Sequence, residues 1–310
     1  MDSLVARAIN CTPCEVTPAV LDYVRSSVAE NTRRAYSSDI QRFLEWGGSL
    51  PSPPEVIANY LAAHAQSHSI ATLARWLSSI SKAHVLRSMN SPCQTEYVRA
   101  TYRGIKRIHG VEQRQVTPAL WPDVCAMVEN LGGSKGIRDR ALLMIGFAGA
   151  FRRSELVALT VEDVQFVKQG VVVNLRSSKT DQERKGRKVA IPHARGKVCP
   201  VSALEGWLKF AGISSGPIFR PVDRRGRVGS NSLTAQNVAL AVKQRAEAAG
   251  FDPKTFSGHS LRSGLVTSAA QAGVSSWKIR QQTGHASDAM LARYIRDAEI
   301  FVGNAAGALF

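Results

Sequence analysis

Apolar residues in the first third of the chain recur every three or four positions, which is the spacing of amphipathic helices. Thr32 is a suitable N-cap for the first such run, and Gly47-Gly48 ends it. The apolar positions of that run are Tyr36, Ile40, Phe43, Leu44 and Trp46. Further runs with the same spacing cover residues 55–65, 71–87 and 96–108. The pattern predicts a compact domain of four helices at residues 15–113, preceded by a tail at residues 1–14.

A polar stretch without apolar periodicity follows the fourth run and ends at Pro118. We interpret it as a connection, with the linker at residues 114–117 and a second domain at residues 118–310. In that domain the helical spacing gives way to alternating apolar residues and then returns. Helices are predicted at 120–131, 137–148, 153–159, 233–249, 261–272, 276–283 and 287–295, and strands at 164–166, 172–175 and 188–192. The predicted fold class is mainly α with a small antiparallel sheet, in the form of a helical domain plus an α+β domain.

The net charge of the chain indicates the kind of partner it binds. The 310 residues include 40 Lys and Arg against 24 Asp and Glu, a formal net charge of +16, of which +13 lies in residues 114–310. Such an excess favours a polyanionic partner, either nucleic acid or an anionic membrane surface, although a single charged run is equally typical of solvated surface. The longest apolar run, residues 141–151, is shorter than the roughly 20 residues of a spanning helix. We therefore expect no membrane-spanning segment.

The motifs of several common enzyme classes are missing from the sequence, including the phosphate-binding loop, the zinc-protease helix and the serine-hydrolase elbow. Cys11 and Cys14 have neither a second cysteine pair nor a nearby histidine, so we predict no zinc site there. We expect no metal and no cofactor. The five cysteines are odd in number and mostly far apart, and no secretory signal begins the chain, so we predict reduced thiols and a cytoplasmic location.

The strongest candidates for catalytic residues are cationic side chains that lie next to apolar segments. Arg152 directly follows the apolar run 141–151, so its guanidinium needs an anion, and Glu155 three residues later can hold it in place. His259 and Arg262 have the spacing that puts two side chains on one face of a helix. The remaining candidates are His285, which follows a glycine, and Tyr294 nine residues later. Each alone is more commonly a structural residue.

Taken in order, these residues resemble the pattern of the tyrosine recombinase (phage integrase) family, and the resemblance covers nearly the whole chain. The family pattern is Arg-x-x-Glu, a lysine in a β-hairpin, His-x-x-Arg, Gly-His, and a tyrosine about nine residues later. The matching positions here are Arg152, Glu155, Lys179, His259, Arg262, His285 and Tyr294. Arg152 has the Arg-x-x-Glu spacing to Glu155, whereas its neighbour Arg153 does not, so we favour Arg152. Ser263-Gly264 departs from the His-Thr of many members, which bears on packing beside the site more than on chemistry.

The resemblance implies an enzyme that cleaves and rejoins DNA strands at specific sites through a 3′-phosphotyrosyl intermediate. Tyr294 would attack a DNA phosphate and His259 would offset the cost of the phenolate, because a free tyrosine has a pKa of about 10. Arg152, Arg262 and His285 would donate to the developing negative charge. Lys179 would protonate the leaving 5′-hydroxyl. Because the covalent bond keeps the energy of the phosphodiester, this chemistry needs neither ATP nor a metal.

The resemblance also implies partners. We expect double-stranded DNA with inverted-repeat core sites, clamped between a helical core-binding domain and the catalytic domain, and a homotetramer on synapsed DNA. The C-terminal segment turns apolar at Ile300-Phe301-Val302 and ends in Leu309-Phe310. In the family this segment packs into a neighbouring subunit.

Two other functions stay open at this stage. Residues 272–285 resemble a helix-turn-helix, which is typical of a non-enzymatic DNA-binding regulator, although a regulator would not need the catalytic set. A type IB topoisomerase would use the same chemistry. Such an enzyme would relax supercoils as a monomer without a preferred sequence, so a requirement for a defined inverted-repeat site separates the two.

Overall fold

The computed structural model describes residues 17–110, 116–176, 186–196, 198–285, 287–289, 291–292 and 294. The chain divides into two compact units, Met1–Arg114 and Gln115–Phe310. Within the described residues it is mainly helical, with one small antiparallel sheet, as the sequence pattern predicted. The proposed tail at 1–14 lies outside the described residues, as do the first two residues of the proposed linker.

The first unit is built from helices around one apolar core. Its helices are α1 (Pro18–Ser26), α2 (Glu30–Glu45), α3 (Pro54–His64), α4 (Ile70–Val85) and α5 (Glu96–His109), with a short 3-10 helix at Pro92–Gln94. Phe43 of α2, Tyr60 of α3 and Trp76 of α4 are almost fully buried, and their rings contact one another through Tyr60. Packing of these three helices therefore rests on large aromatic side chains, which bury much apolar area.

Two features of this unit differ from the sequence prediction. Helix α1 was not predicted; Thr17 caps it and Pro18 occupies its first turn, both of which favour a helix start. Helix α2 begins at Glu30, two residues before Thr32, so the predicted N-cap at Thr32 is wrong. Glu30 lies in the first turn, where a negative charge suits the helix dipole, and it pairs with Arg34 at 2.6 Å. This local pair favours the earlier start.

The second unit places helices around a three-stranded sheet. Its helices are α6 (Trp121–Val128), α7 (Gly133–Ala148), α8 (Arg153–Ala158), α9 (Pro200–Ala211), α10 (Ala235–Ala248), α11 (Ser260–Gln271) and α12 (Ser276–Thr283). Its strands are β1 (Val164–Val167), β2 (Gly170–Leu175) and β3 (Arg187–Pro192), in the order β1-β2-β3 with both pairings antiparallel. Described residues at 288, 289, 291, 292 and 294 are helical.

Helix α9 was not predicted, although its sequence contains the necessary signals. Pro200 occupies the first turn, Gly212 ends the helix in the left-handed conformation, and Val201, Leu204 and Trp207 are buried at helical spacing. No helix in the described part of the chain is long and apolar enough to cross a membrane.

Candidate active site

The first part of the site is formed where α7 ends. The chain leaves α7 at Gly149, and Ala150 adopts a left-handed conformation with φ of 49°. This turn brings Arg152 to the N-cap of α8. The Glu155 carboxylate accepts from the Arg152 backbone N–H at 2.9 Å and from its Nη1 at 2.6 Å. Both side chains of this ion pair are largely buried, so Arg152 is held in one orientation.

Arg262 is the most deeply enclosed cation of the site. It lies on α11 and is only 1% exposed, and its Nη1 donates to the carbonyl of Ala150 at 2.7 Å. The left-handed turn at Ala150 thus presents a carbonyl that fixes this guanidinium. Burial is the main cause that lowers the pKa of Arg262 to about 10, with the charge of Arg152 as a further cause. At neutral pH the side chain is still a cation.

Close packing beside Arg262 depends on Gly264. A Cβ atom at position 264 would lie 1.8 Å from the carbonyl oxygen of Ala119, so no larger residue fits there. The adjacent Ser263 donates its hydroxyl to the carbonyls of His259 and Ser260 within α11. The Ser263-Gly264 pair therefore serves helix packing behind the site.

A hydrogen-bond chain fixes the tautomer of His285. Thr283 donates its hydroxyl to the carbonyl of Ile279 at 2.8 Å, so its oxygen accepts from His285 Nδ1 at 2.7 Å. The other ring nitrogen, Nε2, then accepts from Arg262 Nη2 at 3.1 Å. Burial and the nearby arginines lower the pKa of His285 to about 3. His285 is thus neutral at neutral pH and orients Arg262 in this state.

Tyr294 is partly exposed and lies beside these residues. Its hydroxyl is 3.0 Å from His259 Nε2, and His259 stands at the N-cap of α11. Burial, then the charges of Arg262, Arg152 and Arg153, lower the pKa of His259. His259 is therefore neutral at neutral pH, and its Nε2 can accept the proton of the tyrosine. The chain brings a phenol, a base and two guanidinium groups together from segments more than a hundred residues apart.

The sequence of the second unit decides the family. Residues 122–299 match the model of the phage integrase family, which is more than half of the chain. The chain belongs to the tyrosine recombinases of this family. It is 39% identical over 298 residues to the integrase/recombinase xerD homolog of Selenomonas ruminantium, covering 93% of this chain and 87% of that protein. It is 24% identical to the recombinase cre of Escherichia phage P1, covering 97% of this chain and 94% of that protein.

The tyrosine recombinase fold is also found in solved structures. The Tn1549 transposon integrase in complex with a circular intermediate DNA matches with a TM-score of 0.63 at 16% identity, covering 89% of this chain and 92% of that one. A lambda integrase dimer bound to a core site matches with a TM-score of 0.62 at 18% identity, covering 87% of this chain and 73% of that one. The predicted fold class is confirmed by these similarities.

Six of the seven positions that the recombinase resemblance selected lie together in the structure. They are Arg152, Glu155, His259, Arg262, His285 and Tyr294. Lys179 lies in residues 177–185, outside the described part of the chain. Sequence reasoning missed two residues: Thr283, which fixes the His285 tautomer, and Arg187 of β3, whose Nη2 lies 3.6 Å from Glu155 Oε2. A threonine two residues before the histidine was a readable signal, whereas nothing local in the sequence marks Arg187.

Proposed function

We propose that this tyrosine recombinase cleaves and rejoins duplex DNA at specific sites, with Tyr294 as the nucleophile. The contact between Tyr294 and His259 beside Arg262 is the single observation that carries this assignment. It supplies a nucleophile within reach of a base, next to a buried cation that can stabilise charge on a phosphate. We also propose that the reaction takes place in the cytoplasm.

In the cleavage step, neutral His259 takes the proton of Tyr294 as the phenolic oxygen attacks the phosphorus. The bond from phosphorus to the 5′-oxygen breaks, and Lys179 gives a proton to that oxygen. Negative charge grows on the equatorial phosphate oxygens, where Arg152 and Arg262 donate hydrogen bonds. The product is a 3′-phosphotyrosyl bond and a free 5′-hydroxyl, so the reverse reaction with another strand's 5′-hydroxyl completes exchange without a cofactor.

Two other site residues act through the arginines in this proposal. Glu155 holds Arg152 from both its backbone and its side chain. His285, expected from the resemblance to donate directly to phosphate, uses Nε2 to accept from Arg262. We therefore propose that His285 orients Arg262, and that the guanidinium of Arg262 donates directly to the phosphate.

The first unit is proposed as the DNA core-binding domain at residues 15–113, with the catalytic domain at 118–310. Helix α5 supports this assignment, because one side of it carries several basic residues while Val98 and Ile105 on the other side are buried. The basic residues are Arg99, Arg103, Lys106 and Arg107. Such a basic face can neutralise the phosphates of a duplex.

Trapping the covalent complex on genomic fragments and sequencing the attached 3′ ends tests the proposed function. We expect adducts at one defined site with inverted repeats, and strand exchange between two copies of it. Adducts scattered without sequence preference, together with relaxation of supercoils, would favour a type IB topoisomerase. Binding without any adduct would favour a regulator, whose helix-turn-helix would be the segment 272–285.

We further propose that four copies assemble on two DNA sites through the C-terminal segment. The second unit has an apolar groove that can accept such a segment from a neighbouring copy, and its lining includes Trp121, Phe147, Leu265, Ala269, Val274 and Ile279. The segment itself, with Ile300, Phe301 and Phe310, lies outside the described residues. A head-to-tail exchange that closes on itself gives a ring.

Deleting residues 300–310 should leave single-site DNA binding nearly intact and abolish synapsis and recombination, because the groove of each neighbour loses its occupant. Gel-shift titration measures binding, and sedimentation on two-site DNA measures synapsis. Phe210→Ala is the matched control, since Phe210 is 51% exposed and does not line the groove. Recombination by the shortened chain at the normal rate would refute this role of the segment.

A further inference from the structure

Arg187 supplies a third, largely buried guanidinium beside the proposed catalytic group. It begins β3 and reaches across to the end of α12, where its Nη1 donates to the carbonyl of Gln282. It also packs on Gly284, where a Cβ atom would lie 2.9 Å from its Nε. Gln282 in turn donates to the carbonyl of Ala190 at 3.2 Å, so β3 and the segment before His285 are joined in both directions.

The hydrogen-bonding capacity of Arg187 is only partly used. Its Nε and Nη2 are buried and have no hydrogen-bond partner among the described residues. Within the described part of the chain its ion-pair partner is Glu155 at 3.6 Å, whose two oxygens already accept from Arg152. An arginine held mainly for stability would have these N–H groups satisfied, because unpaired buried donors are costly. Burial is the main cause that lowers the pKa of Arg187 from its ordinary value. A guanidinium in a protein nonetheless keeps its proton.

The net charge of the described site residues indicates how Arg187 can affect the reaction. Arg152, Arg187 and Arg262 face the single carboxylate of Glu155, and the two histidines are neutral, which leaves a net charge of +2 among these described residues. A DNA phosphodiester carries one negative charge, and the five-coordinate phosphorus of the transition state carries two. Without Arg187 the same group would carry one positive charge fewer at every stage of the reaction, and this loss weakens stabilisation of the doubly charged transition state more than that of the singly charged ground state.

We propose that Arg187 is a positioning residue for strand cleavage: it shares Glu155 with Arg152, fixes the segment that carries His285, and adds the buried positive charge that favours the doubly charged transition state. It acts through the field of the site and does not contact the phosphate. The inference rests on the proposed function, since it concerns the same reaction.

Arg187→Met should slow cleavage of a single-site substrate by on the order of 10- to 100-fold, because one buried charge is lost. DNA binding should stay within about threefold of the unchanged chain, since the N–H groups of Arg187 do not reach the phosphate in this proposal. Lys188→Met is the matched control, because Lys188 is the next residue on β3, carries the same charge and is exposed. Its cleavage rate should stay within about threefold of normal.

A neutral methylphosphonate at the scissile position separates an electrostatic role from a structural one. On this substrate the transition state carries one negative charge fewer, so the rate ratio between the unchanged chain and Arg187→Met should fall at least fivefold below its value on phosphodiester. Arg187→Lys keeps the charge and should cleave phosphodiester at least fivefold faster than Arg187→Met, which keeps the test valid if the Met variant folds poorly.

Three results would overturn the inference: a normal rate for Arg187→Met, an equal rate ratio on both substrates, or equal rates for the Lys and Met variants. The proposed function is tested separately by the unchanged chain in the same assay. An unchanged chain that forms no Tyr294-linked adduct would refute the proposed function and this inference together. Normal adducts with a normal rate for Arg187→Met would refute the inference alone.

Discussion

Tyr294→Phe should bind its DNA site as tightly as the unchanged chain and form no covalent protein–DNA adduct. The phenolic oxygen is the atom that His259 contacts at 3.0 Å, and it is the proposed nucleophile. Removing it takes away the bond-forming atom while the ring keeps its packing against the small apolar cluster of α11 and α12. A denaturing gel of nicked, site-containing DNA incubated with each protein measures the adduct.

The fold of the Tyr294 variant should be preserved, because one hydrogen bond of a partly exposed hydroxyl contributes about 1 kcal/mol to stability. Tyr97→Phe is the matched control, since Tyr97 is 57% exposed on α5 and lies in the other unit. This control should form adducts at the normal rate. An adduct formed by Tyr294→Phe would show that another residue is the nucleophile.

The sequence predicts the helices and strands of this chain better than it predicts the contacts between them. Helix α12 spans residues 276–283 as predicted, because Gly284 ends it in the left-handed conformation that glycine adopts readily. Strand β3 begins at Arg187, one residue before the predicted start. Apolar periodicity and turn residues act over a few positions, so they can be recognised without the tertiary structure.

The parts of the site that the sequence did not reveal depend on contacts between distant segments. The left-handed turn at Ala150 matters because Arg262, 112 residues later, donates to its carbonyl. The place of Arg187 depends on Gln282, 95 residues away. Neither pairing has a local signal, since an arginine at the start of a strand is ordinarily a solvated surface residue. The contact of His285 Nε2 with Arg262 Nη2, 23 residues earlier, also has no local signal, whereas the Thr283 contact at Nδ1 is local.

Arg262→Ala and Arg152→Ala should each slow strand cleavage by about 10²- to 10³-fold, the usual effect of removing one donor that stabilises a transition-state oxyanion. Arg262 is buried and bonded to Ala150 and His285, so Arg262→Lys is needed beside the Ala variant to keep a cation in place. The Lys variant should fold and still cleave slowly, because an ammonium group cannot hold the carbonyl and donate to phosphate in the same geometry. Single-turnover cleavage at saturating protein measures the effect separately from binding.

Arg153→Ala is the control that makes the arginine experiment decisive. Arg153 is exposed beside Arg152, and its aliphatic stem packs where a Cβ atom of Gly258 would lie, so it is held near the site without the Glu155 contacts. Its loss should slow cleavage less than tenfold, because Arg153 is exposed and its charge lowers the pKa of His259 less than the charges of Arg262 and Arg152 do. If Arg153→Ala slowed cleavage more than Arg152→Ala, Arg153 and not Arg152 would be the catalytic arginine. Losses below tenfold for both Arg152 and Arg262 would make these guanidinium groups structural and leave the transition-state charge to other residues.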